Sequence, residues 1–447
     1  MDKKLLKTIL ALIMPITIQN FMLSLVSVSD AFMLGLLDQN SLSAVSFAGQ
    51  IQFVLSLFIS GIAFGLGIMM AQYYGKGDKK ALEKIIPVSL RINLIFSFFF
   101  TIAALFIPDK LMAIFTNEAV LIEMGKDYVR AVALSYLFCG ISQIYLIALK
   151  NTGRQKTSSL ISSLAVIFNI VFDAILIFGL FGFPKLGIVG AAVATVMARL
   201  LELILCFIET SKKDSIKVRW SLLFKSAGQL EKDFWFYAWP VLLASLVWGI
   251  AFSMYSVIMG RLGTDVAAAY SIVSIMKQLF TCAGKGLGNG IAIYVGGLLG
   301  RSMFDEARED AKNLTIMSII LGVITSLAMI ISIPFVLRVI SISEASKFYL
   351  KYMVIICAIN TAGMTVNMAV LDGVFGAGGD SRFDMYGNIG AMWCFSVPLG
   401  FISAFILKWP VLIVYCLVCL DEFVKMPAVY RRYHKYIWLR NITRDEY

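Results

Sequence analysis

Apolar residues run through this chain in stretches of about twenty or more, the length a helix needs to cross a bilayer. Twelve such stretches can be marked, at 8–36, 42–72, 85–107, 128–149, 158–180, 187–208, 234–260, 267–298, 312–335, 347–371, 385–407 and 410–430. Hydrocarbon offers no water to satisfy peptide groups, so each stretch is predicted to be a helix. Polar residues collect in the connections, and the most polar interior one, 209–233, divides six helices from six. The pattern predicts an N-terminal lobe at 1–208, that cytoplasmic linker, a C-terminal lobe at 234–430 and a basic tail at 431–447.

The two groups of six look like copies. Residues 15–75 align without a gap on 240–300, at an offset of 225. Only nine of 61 positions are identical, but they include Pro15 with Pro240, and Gly35, Gly61, Gly65 and Gly75 with Gly260, Gly286, Gly290 and Gly300. Chance would match about one glycine in such a window. Because six is even, both copies enter the membrane from the same side, as parallel repeats about an axis along the membrane normal. A duplicated apolar chain is the sequence signature of a transporter with a binding site between its halves. A proline inside the first helix of each copy removes one intrahelical bond and favours a kink, so Pro15 and Pro240 are candidate hinges as well as candidate static bends.

Composition narrows the picture. At 59% hydrophobic and 15% charged residues, the 447-residue chain is too apolar for a soluble fold. A net charge of +11 could suggest nucleic acid, but 26 of the 39 Lys and Arg lie on the connections of the side holding both termini and 9 on the other. That asymmetry predicts a multi-pass protein of the cytoplasmic (inner) membrane with both termini cytoplasmic, and no nucleic-acid partner. The tail from Lys425 to Arg444 reads as a membrane-surface anchor. The Gly-rich stretch from Gly376 to Arg382 reads as a tight cytoplasmic turn.

All seven cysteines lie in apolar segments, and Cys416-x-x-Cys419 has no second pair or nearby histidine. That is packing, not zinc or redox chemistry. With His434 the sole histidine and out in the tail, any proton relay must run on carboxylates. An intramembrane aspartyl protease fails on sequence, since Ala377-Gly-Gly before Asp380 misses Gly-x-Gly-Asp by one residue. The chain is expected to be no enzyme, to need no cofactor and to work as a monomer, its partners being the lipid bilayer and a small-molecule substrate.

Polar residues inside the spans carry the candidate chemistry. A mid-membrane aspartate costs ~2.5–3.5 kcal/mol on insertion scales and so asks for a reason. Asp30 lies late in the first span, with Ser27 and Gln19 within about 60° of it around a helix. Asp173 lies late in the fifth, with Asn169 one turn before it and Ser162 and Ser158 continuing the stripe. Each aspartate could be an interhelical clamp. Alternatively, two carboxylates in one half repel each other in a low dielectric, and taking up H⁺ or Na⁺ relieves the repulsion. Glu202 and Arg199 are spaced for a structural ion pair, and Asp421-Glu422 is placed at the cytoplasmic interface. Lys285, inside the eighth span where the repeat has Ser60, either snorkels or faces a cavity, where it would meet an anionic group. Trp248, Phe252 and Tyr255, at helical spacing in the seventh span, are packing residues or a stacking surface for flat or cationic ligands.

These features resemble the multidrug and toxic compound extrusion (MATE) family of secondary transporters over nearly the full length. The matching residues are Pro15 followed fifteen places on by Asp30, Gly61-x3-Gly65 with Gly75, Asn169-x3-Asp173, Gly190-Ala-Ala-Val-Ala-Thr195 and Gly286-x3-Gly290. The resemblance implies twelve transmembrane helices in two six-helix lobes around a V-shaped cavity, and cation-coupled export by alternating access. It implies a cation site at Asp30, Asn169 and Asp173, with Thr195 as a weaker member. Some members also use acids in helices 7 and 10. Here Trp248 falls close to the first of those places, and Asp372 does not align with the second. An alternative within the same superfamily is a lipid-linked saccharide flippase, which would want a cavity lined by basic residues.

Overall fold

The computed structural model describes residues 3–212, 215–340 and 342–445. Lys213 and Asp214 of the expected linker and residues 446–447 of the expected tail lie outside the described residues. Among the described residues the chain is built from helices and carries no strand. In the first copy, α1 (Lys3–Gly35), α2 (Gln39–Lys76), α3 (Lys79–Phe106), the short α4 (Pro108–Ala113), α5 (Ala119–Asn151), α6 (Gln155–Phe178) and α7 (Ile188–Thr210) follow in order. The second runs through α8 (Gln229–Gly260), α9 (Thr264–Gly300), α10 (Phe304–Ile331), the short α11 (Ile333–Val339), α12 (Glu344–Asn367), α13 (Ser381–Asn388), α14 (Val397–Phe401), α15 (Val411–Val418) and α16 (Asp421–His434). Wider π-type turns extend α12 through Met368–Phe375 and join α13 to α14 through Ile389–Ser396. Between α1 and α2 the Asp38 carboxylate accepts from the Ser41 amide and hydroxyl, each at 2.7 Å, which caps α2 and holds the carboxyl below its usual range.

Among the described residues, eleven helical segments are long and apolar enough to span a membrane. The twelfth expected span does not run as one helix. It breaks at Cys419–Leu420 into α15 and α16, because Asp421 and Glu422 interrupt the apolar run. Pro15 and Pro240 both lie inside continuous helices.

Packing gathers the chain into two compact units that are not the two halves of the sequence. One contains the chain up to Phe21, Ala71–Lys76 and Leu243–Arg444; the other contains Met22–Met70 and Gly77–Leu242. The matched glycines explain this. In the second unit, a Cβ on Gly61 would lie 2.7 Å from Leu242 Cα, and one on Gly65 would lie 2.6 Å from Ala238 Cα. In the first unit, the repeat-equivalent positions meet α1: a Cβ on Gly286 would lie 3.0 Å from Thr17 Cα, and one on Gly290 would lie 2.7 Å from Ile13 Cγ1. Thr17 and Leu242 are equivalent at the offset of 225, as are Ile13 and Ala238. The early part of α1 therefore lies in the glycine groove of α9, and the early part of α8 in the groove of α2. Glycine is required because a side chain at these positions would collide with the neighbouring helix.

Candidate functional site

The second unit holds a pocket of about 380 Å³ between α1, α2, α5, α6 and α7. Ser27 and Asp30 reach it from α1, Asn169 from α6, Thr195 from α7 and Tyr128 from α5. Asp173, one turn beyond Asn169, is 1% exposed, and its carboxyl comes within hydrogen-bonding range of Asp30. Two carboxyls this close share a hydrogen bond only when one of them holds a proton. Correspondingly, Asp30 Oδ1, both oxygens of Asp173 and Asn169 Nδ2 are buried without a hydrogen-bond partner. Such groups are costly unless something electropositive joins them. The donor set consists of carboxylate oxygens with an amide that can turn its oxygen inward, which suits a proton or a hard cation such as Na⁺. Transition metals are a poorer match, and among the described residues no group of three or more His, Cys, Asp or Glu could hold a metal.

The neighbouring acid behaves differently. Glu202 accepts from Arg199 at 3.0 Å, Ser142 at 2.9 Å and Ser162 at 3.1 Å, so its charge is matched inside the same bundle. The Thr195 hydroxyl donates to Ala191 O in its own helix while lining the pocket. Gln19, grouped with Asp30 by helical spacing, is 2% exposed and lies in the other packing unit. The α1 helix changes units between Phe21 and Met22, so its polar seam is divided. Tyr128 and Arg199 are pocket residues that pattern reasoning missed as such. Tyr128 is one aromatic in an apolar helix, and Arg199 had been accounted for by its ion pair.

In the first unit, Trp248 and Phe252 stack with ring centroids 5.6 Å apart and planes 12° from parallel. Phe252 and Tyr255 line a cavity of about 20 Å³, the size of a water, together with Lys277 and Asp421. Lys285 is exposed on α9. Asp421 and Glu422, expected at the cytoplasmic interface, are enclosed by protein there, at 5% and 4% exposed. Asn360 Nδ2 donates to Asp421 Oδ1 at 3.1 Å, and the Lys277 ammonium donates to Asn360 Oδ1 at 2.8 Å. Glu422 accepts from Asn367 at 2.7 Å and pairs with Lys425 at 3.0 Å. Lys425 also donates to Asn388, which donates to Asp384. The tail likewise does not lie free as a surface anchor: Trp438 is wholly buried, and Arg432 makes two 2.8 Å bonds to Asp380. The Gly376–Arg382 turn is therefore covered rather than open.

A duplicated bundle of spanning helices with a carboxylate-lined pocket defines a multi-pass membrane transporter, not an enzyme. A profile of the MatE family matches residues 15–175 and again 240–402, each match beginning at one of the paired prolines. The chain belongs to this family of multidrug-efflux transporters. It is 22% identical over 433 residues to an uncharacterised transporter, YisQ, of Bacillus subtilis, covering 97% of this chain and 95% of that one. It is 25% identical to a probable multidrug resistance protein, NorM, of Thermotoga maritima over 65% of this chain and 62% of that one. Among solved structures, a transporter of the MOP superfamily from Pyrococcus furiosus superposes with a TM-score of 0.87 at 18% identity, over 96% and 95% of the two chains. The Vibrio cholerae MATE transporter VcmN, in its bent form, gives 0.84 at 15% identity over 97% of each.

Proposed function

We propose that the protein is an antiporter of the cytoplasmic membrane, acting as a monomer with both termini cytoplasmic, that exports amphipathic or cationic compounds in exchange for H⁺ or Na⁺. The carrying observation is the donorless Asp30–Asp173 pair with Asn169 at the wall of the 380 Å³ pocket. A cation entering there joins the two carboxylates, and the resulting change in α1 packing, with Pro15 as the candidate bend, displaces substrate. Pro240 would serve α8 in the same way. One cation moving down 100 mV contributes ~2.3 kcal/mol to export. Thr195 lines the cation pocket. Ser27 on the pocket wall, with Gln19, Trp248, Phe252, Tyr255 and Lys285 in the other unit, are the substrate-contact candidates.

The test is efflux from proteoliposomes under imposed pH or Na⁺ gradients. The gradient that drives efflux in the intact protein identifies the ion, and Asp30→Asn or Asp173→Asn should abolish the response while the protein stays folded. Undiminished gradient-driven efflux in both variants rejects the assignment. A flippase of lipid-linked saccharides has less support: the one basic residue lining the pocket, Arg199, is already matched by Glu202. Lys285 is the residue that reading would use, and its alanine variant should then lose anionic substrates alone.

A further inference from the structure

Beyond α16 the chain turns and then runs without helix from Leu439 to Arg444, yet it is held by many bonds to the core. Trp438 is 0% exposed and packs against Tyr433, its indole nitrogen donating to Tyr433 O at 3.3 Å. Its backbone lies so close to Gly378 that a Cβ there would be 2.9 Å from Trp438 Cα. Arg440 donates from Nε to Gly378 O and from a terminal nitrogen to Gly379 O, both at 2.7 Å. Asn441 donates to Gly300 O and to Ser302 Oγ, and Lys76 Nζ donates to Arg444 O at 2.7 Å.

The centre of this arrangement is Gln72, a fully buried amide inside α2. Its nitrogen donates to Ala377 O at 2.7 Å and Arg440 O at 3.2 Å, while its oxygen accepts from the Ile442 amide at 2.8 Å. Around it, α2 meets α9 through bare backbone. A Cβ on Gly75 would lie 2.8 Å from Gly297 Cα, and one on Gly300 would lie 2.8 Å from Gln72 Cα. These two contacts exchange under the 225-residue offset, so they sit about the pseudo-two-fold axis. Smooth glycine faces have no interdigitated side chains to repack when they part. Apart from a long bond from Arg301 Nε to Gly75 O at 3.4 Å, the side-chain fastening described across them runs through the strap.

We propose that residues 435–444 form a cytoplasmic strap that keeps the ends of α2 and α9 together, and that its release is the step that opens the cytoplasmic side. This rests on the reading of the chain as an alternating-access transporter. The strap lies beyond the stretches matched by the family profile, which end at 402.

The test uses the full-length protein in nanodiscs. Ala71→Cys places a thiol at the contact, where Ala71 is 3% exposed against Gly296. Its maleimide labelling is followed by peptide mass spectrometry, which separates it from the native cysteines. Two strap variants are compared: Arg440→Ala, which removes both bonds to the turn, and Gln72→Glu, whose carboxylate cannot donate to Ala377 or Arg440. Each variant loses two hydrogen bonds and should speed labelling by about tenfold or more, the factor that about 1.4 kcal/mol implies. Equal labelling rates in both variants and in the protein with an intact strap overturn the proposal. Adding Asp30→Asn keeps the two readings apart, because it should silence coupled transport whether or not the strap is cut. If transport persists, the antiporter reading falls, while the labelling rates still decide the strap.

Discussion

Asp30 and Asp173 face each other beside an open pocket with four buried polar atoms, counting Asn169 Nδ2, left without partners. In the second copy, Glu422 is met by Lys425 and Asn367, and Asp421 by Asn360, which Lys277 holds in turn. Both clusters are carboxylates buried in the helical bundle, but only one brought its own cations. A buried charge with a fixed counter-charge and its hydrogen bonds in place is structural, and releasing any member is costly. A buried pair without donors can be completed by something that arrives and leaves. On the proposed reading, the difference separates a site that exchanges ions from one that holds helices together. Glu202 makes the same point inside the first copy, since Arg199 and two serines leave it nothing to exchange.

The comparison would be broken most sharply by two single substitutions. Lys425→Met strands Glu422 and should cost about 3–5 kcal/mol, seen as a large fall in the thermal midpoint in detergent. Adding Glu422→Gln should recover most of that loss. Asp30→Asn should leave the midpoint unchanged or raise it, and should instead collapse the substrate gradient in proteoliposomes. The ~2.3 kcal/mol from one cation crossing 100 mV corresponds to a concentration ratio of about 50, which is the amount at stake. If Asp30→Asn unfolds the protein while Lys425→Met merely stops transport, the two clusters have been assigned the wrong way round.

Smaller effects test the scaffold that carries both clusters. Gly65→Ala places a methyl against the backbone of Ala238 and should cost about 1–3 kcal/mol. Gly290→Ala meets only the Ile13 side chain, which can turn aside, so its cost should be smaller. Equal midpoints for the two would mean that the grooves are not filled as described. Smallest of all, Trp220→Phe removes the 3.0 Å bond from the indole to Tyr145 OH. It should cost about 0.5–1.5 kcal/mol, seen as faster hydrogen exchange in the linker after residue 215.

Much of this was legible in the chain. Length and apolarity predicted the spans, and three of the four glycine pairs at one offset, all but Gly35 with Gly260, lie where helices touch. Asn169 and Asp173 were legible because one turn of helix fixes them on one face. That Gln19 and Asp30 fall in different packing units was not legible, because spacing along α1 says nothing about which neighbour each turn meets, and α1 changes units after Phe21. Asp421 and Glu422 were legible as the end of an apolar run, but not as buried residues. Their burial depends on Lys277, Asn360 and Asn367, dozens of residues away, which local pattern cannot register. The tail was misread for the same reason, since a row of Lys and Arg resembles a lipid-facing anchor until Gln72 and the 377–380 turn are seen to claim it.

The reciprocal docking of α1 and α8 bears on how the protein is made. While the ribosome has delivered only the first copy, Gly61 and Gly65 have no helix to cover them, and the opening turns of α1 have no groove to enter. Neither copy can finish folding in the bilayer until the other has been inserted. The nascent half-protein must therefore wait with its closest-fitting surfaces uncovered. Two separately expressed halves, split within 215–228, should each be degraded alone and rescue one another when made together.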